Sequence, residues 1–73
     1  MLLSALRPGA SARVRSVSAE SDAVLRLREM GLHRGATVRL ELIAAGGARV
    51  VTVGAARLAV DRATAALIDV DLP

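Results

Sequence analysis

The chain has 73 residues, 53% of them apolar, with no Phe, Trp, Tyr or Cys. Ten basic residues, all arginine, stand against seven acids, for a formal net charge of +3. That length holds one small domain, the missing cysteines exclude disulfides and thiol chemistry, and a single histidine cannot build a zinc site.

In chain order, Leu6-Arg7-Pro8-Gly9 is the first turn signal, because Pro sets φ and Gly allows φ > 0. Ala12, Val14 and Ser16 then alternate with Arg13, Arg15 and Val17, which predicts a strand with arginines on its outer face. Ser18 and Ser21 are alternative N-caps for a following helix, and Glu20 and Asp22 suit its first turn. Ala23, Leu27 and Met30 fall at i, i+4 and i+7, which predicts one buried helical face flanked by Val24. Arg26 and Glu29 lie three apart and can pair. Gly31 is expected to end the helix as a left-handed residue, with Leu32 folding back onto the last turn.

His33-Arg34-Gly35 reads as a tight connection. Thr37–Ile43 is the clearest strand, with Val38, Leu40 and Leu42 on one face. Ala45-Gly46-Gly47-Ala48 reads as a hairpin loop, Arg49–Val53 as the next strand and Gly54-Ala55-Ala56 as another turn. Residues 57–60 form a short strand with Leu58 and Val60 inward. Asp61 caps a helical turn, and residues 67–70 close the chain as a last strand with Ile68 and Val70 on one side. Five short strands joined by tight turns, with one helix after the first, predict a mainly β fold in the form of a small barrel, whose closure would remove sheet edges.

No uninterrupted apolar run exceeds residues 42–48, well short of the ~20 residues that a spanning helix needs. The N-terminus lacks a basic region ahead of its apolar stretch and meets Pro8-Gly9 early, so it is a poor signal peptide. A soluble cytoplasmic protein is the expectation. The arginines are dispersed among acids, which favours a solvated mixed-charge surface over a nucleic-acid patch.

Little chemistry is visible. Gly31-Leu32-His33-Arg34-Gly35 lacks the Lys-Ser/Thr of a phosphate loop and the third glycine of a dinucleotide fingerprint. His33 reads as an exposed loop histidine, and the nearest acid to join it in a metal contact is Glu29. No catalytic pair, cofactor motif or metal set is expected. Leu27 and Met30 read as core packing, and Arg28 and Arg34 as cations complementing a helix C-terminus or meeting a partner.

The chain resembles the FeoA family of bacterial ferrous iron uptake. The resemblance runs through Leu6-Arg7-Pro8-Gly9, Ala12 and Val14, then Arg26-Leu27-Arg28-Glu29-Met30-Gly31-Leu32, then Gly35 and Val38, and on through Leu58, Asp61 and Val70. Arg34 stands where that family usually has proline. The resemblance implies an SH3-like five-stranded barrel with a helix inserted after the first strand. It also implies a non-enzymatic accessory role and a partner, the FeoB membrane transporter with its cytosolic GTPase domain. The same barrel occurs at the C-terminus of iron-dependent repressors, but no DNA-reading helix accompanies it here.

Arg28, Glu29, His33 and Arg34 are the expected partner-facing residues, being polar and on the most distinctive segment. The alternatives are a basic nucleic-acid-binding barrel and a direct Fe(II) sensor or chaperone, for which one histidine is thin provision. The absence of aromatics argues against a proline-rich peptide groove and against base stacking.

Overall fold

The computed structural model describes residues 1–18 and 21–73, so the expectation for Glu20 lies outside the described residues. Five strands form: β1 (Ser11–Val17), β2 (Thr37–Ile43), β3 (Arg49–Val53), β4 (Ala56–Val60) and β5 (Ile68–Asp71). Helix α1 (Asp22–Glu29) sits between β1 and β2, and the single turn α2 (Arg62–Ala65) between β4 and β5. Short 3-10 turns cover Leu3–Ala5 and Ala45–Gly47. The strands make one antiparallel sheet in the order β4-β3-β2-β1-β5.

Alternation builds the core. Ala12 and Val14, Val38 and Leu40, Val51 and Val53, Leu58 and Val60, and Ile68 and Val70 all point to one side and are buried. Curling that face on itself lets an aliphatic set fill the interior without any aromatic ring. Leu3, Leu6, Leu32 and Ala65, which lie outside the strands, join the same core. The N-terminal segment is therefore part of the core, which its sequence did not announce. No helix among the described residues is long and apolar enough to cross a membrane.

Three expectations are corrected. The buried side of α1 is Val24, with Leu27 half-buried, whereas Ala23 is exposed and Met30 is 47% exposed. The helix ends at Glu29, so Met30 is already the C-cap and has left the helical stripe. Leu42 is 41% exposed because the β2–β3 register slips between Leu40 and Leu42. One extra residue in one strand shifts all later side chains to the opposite face. Finally, no ladder joins β4 to β5 among the described residues. The edge of β5 is covered instead by the N-terminus, through a Leu2–Asp69 bridge and a 2.7 Å bond from the Val70 amide to the Met1 carbonyl.

Candidate functional site

The expected partner-facing residues lie at the end of α1 and in the loop after it. Of the two candidate N-caps, Ser21 serves: its Oγ accepts from the Val24 amide at 3.2 Å. Three bonds close the other end. The Met30 amide donates to Arg26 O at 3.1 Å, Gly31 to Arg28 O at 3.1 Å and Leu32 to Leu27 O at 2.9 Å. The last two are the paired bonds of a Schellman stop, with Gly31 at φ +112°. Leu32, 2% exposed, anchors the stop in the core.

The loop is then tied to β1. The Gly35 amide donates to Val14 O at 2.8 Å, and the Val14 amide to Ala36 O at 2.8 Å. The Ala36 amide donates to His33 O at 3.0 Å. These bonds hold the backbone around Arg34 without a proline there.

On this frame Glu29, Met30, His33 and Arg34 are exposed, and Arg28 is half-buried. His33 Nδ1 lies 3.1 Å from the Arg34 carbonyl oxygen, an acceptor. Arg26 and Glu29 do not form the expected ion pair. Arg26 and Arg28 lie in the last helical turn, where a cation complements the helix dipole. Met30, assigned to the core by its spacing, joins the charged residues at the surface. A solvent-facing methionine is a soft, adaptable contact for a partner.

Among the described residues no three His, Asp or Glu side chains gather as a metal-binding set. The arginines of the sheet's outer face are interspersed with acids. Arg15 pairs with Asp71 at 3.7 Å and Arg39 with Glu41 at 3.7 Å, and Glu41 also accepts from Thr52 Oγ1 at 2.7 Å. Arg49 has a structural task that sequence reading missed. Its guanidinium reaches the carbonyls of Ser4, at 2.9 Å, and Gly47, tying the N-terminal turn to the β2–β3 loop. An open groove of about 430 Å³ lies elsewhere, lined by Ser11, Arg13, Thr37, Asp71, Leu72 and Pro73. It includes none of the expected site residues.

A family model described as the FeoA domain matches residues 1–72. The fold is similar to that of a FeoA protein from Chlorobium tepidum, at 36% identity and a TM-score of 0.91, over 99% of this chain and 70% of that one. It is also similar to Stenotrophomonas maltophilia FeoA complexed with zinc, at 37% identity and a TM-score of 0.83, over 97% of this chain and 89% of that one. That protein is described as a prokaryotic SH3 domain protein and a candidate ferrous iron transport activating factor. The architecture here is accordingly the SH3-like one expected. A T. acidophilum IdeR structure shares the fold alone, at 23% identity and a TM-score of 0.85, over 100% of this chain and 34% of that one. A comparison with curated proteins returns no match.

Proposed function

The chain belongs to the FeoA family, and on that premise we propose that it is a cytoplasmic accessory module of ferrous iron uptake that acts by binding, not by catalysis. Its partner is the cytosolic part of a FeoB-type transporter. The docking surface is the end of α1 and its loop, with Arg28, Glu29, His33 and Arg34 supplying charge and Met30 supplying apolar contact.

The observation that carries this reading is the exposure of Met30, 47%, on a segment whose backbone is tied at both ends. With the backbone beneath it already fixed, only the flexible Met30 side chain has to be ordered on binding, and its adaptability lets it fit an apolar pocket. An apolar side chain in a polar rim is the composition of an interface hot spot with its surrounding charges.

Calorimetric titration against the purified cytosolic domain of the transporter tests it. The double variant Met30→Ser, Arg34→Glu is expected to bind about tenfold or more weakly, the equivalent of about 1.4 kcal/mol. A control variant, Leu42→Ser, on the far side of the bulge, is expected to bind as the parent does. Equal affinities for all three proteins would overturn the assignment of this surface.

A further inference from the structure

One sheet edge is left open among the described residues. The β5 edge is covered by Met1 and Leu2, whereas β4 has no neighbour beyond β3. The β3–β4 hairpin turns through Gly54 and Ala55, with Val53 opposite Ala56. In a two-residue hairpin the closing pair is hydrogen-bonded, and bonded pairs recur at every second residue. Ala56, Leu58 and Val60 therefore direct their backbone groups at β3, while Arg57 and Ala59 direct theirs outward. Neither Arg57 nor Ala59 makes a backbone bond outside the ladder.

The side chains along this edge form a pattern. Arg57, Ala59 and Asp61 are exposed on one face, while Leu58 and Val60 are buried on the other. Asp61 continues the extended backbone, at φ −64° and ψ 158°. Neither Arg57 nor Asp61 has an ion-pair partner among the described residues.

We propose that this edge pairs antiparallel with the same edge of a second copy of the chain, with the two-fold axis at Ala59. Arg57 then lies opposite Asp61 of the partner subunit, and by symmetry the pair forms twice. Leu58 lies opposite Val60 of the partner subunit, and the small Ala59 meets its own equivalent at the axis. The other symmetric registers are worse. Centring on Arg57 sets two arginines against each other, and centring on Leu58 or Val60 leaves Arg57 without an acid opposite it. Oppositely charged cross-strand pairs stabilise a sheet and like pairs destabilise it, so the charges select one register. The outward groups of Arg57 and Ala59 and the Asp61 amide supply the hydrogen bonds, while the Asp61 carbonyl stays with the Ala65 amide and Asp61 Oδ2 with the Thr64 amide, which leaves Oδ1 to meet the arginine.

A five-residue edge buries less surface than a standard interface, so the dimer is weak and sensitive to salt. Sedimentation equilibrium of the full chain over a range of concentrations, at low and at high salt, measures it. The expected result is a monomer–dimer equilibrium that weakens with salt. Arg57→Glu faces Asp61 of the partner subunit with a like charge and should weaken association about tenfold or more. Ala59→Pro removes an outward amide that the β4 ladder does not use, a placement edge strands tolerate, and should abolish the dimer while the fold persists. If that variant does not fold, Arg57→Glu still decides, because its exposed side chain makes no ion pair within the chain. A protein that stays monomeric throughout at low salt overturns the proposal. So does a dimer indifferent to Arg57→Glu, since it would use another surface.

Discussion

The amide of Leu32 donates to the carbonyl of Leu27 at 2.9 Å, and the chain between them reverses through Gly31. This contact turns α1 back toward the sheet and seats Leu32 in the core. It also sets the position of Met30 and His33, on either side of the reversal.

Gly31→Ala is therefore expected to destabilise the fold by about 1–2 kcal/mol. The cause is conformational, because φ +112° is a region that L side chains rarely adopt. Space is not the difficulty, since an added Cβ would meet Val53 Cγ1 at an ordinary 3.5 Å. Urea unfolding followed by circular dichroism measures the loss. An unchanged midpoint would show that the helix stop contributes nothing to stability.

Met30 and Leu40 offer an opposed pair. Leu40 is fully buried and Met30 is about half exposed. Leu40→Ala should cost about 2–5 kcal/mol from lost transfer free energy and a residual cavity. Met30→Ala should stay within about 0.5 kcal/mol. A large loss at Met30 would return that side chain to the core, where its spacing had placed it.

Asp61 sets a pH dependence at the acid end. Its carboxyl is held below the ordinary value of 3.8, first by a hydrogen bond from the Thr64 side chain and then by the Thr64 backbone amide. A carboxylate with a lowered native pKa binds fewer protons folded than unfolded. Its contribution is thus present above the unfolded value and fades as pH falls through the lowered one. Urea midpoints of the parent and Asp61→Asn should therefore converge as pH drops below about 3.8, because asparagine keeps a capping oxygen but does not titrate. Parallel curves down to pH 2 would contradict this role for Asp61.

The amino-acid sequence by itself determined what depends on near neighbours. The Gly31 stop, the Asp61 cap, a serine cap at Ser18 or Ser21 and the alternation from Val38 to Leu40 involve residues within five positions of each other, and the structure chose Ser21. Their energetics lie in local backbone geometry, so they are legible without a partner strand. The exposure of Glu29, His33 and Arg34 was legible too, as polar positions around a glycine stop.

The tertiary structure decided whatever needed a distant partner. Leu42 alternates correctly with Leu40, yet a slip in pairing with β3 turns it outward. Met30 has core spacing, but the helix ends one residue before it. Arg49 looks like one more surface cation, and only the fold brings its guanidinium to Ser4, 45 residues away. The two sheet edges show the same division. Strand propensity announces β4 and β5 equally, but pairing energy is shared between chain segments. Only the folded arrangement lays Met1 and Leu2 along β5 and leaves β4 open.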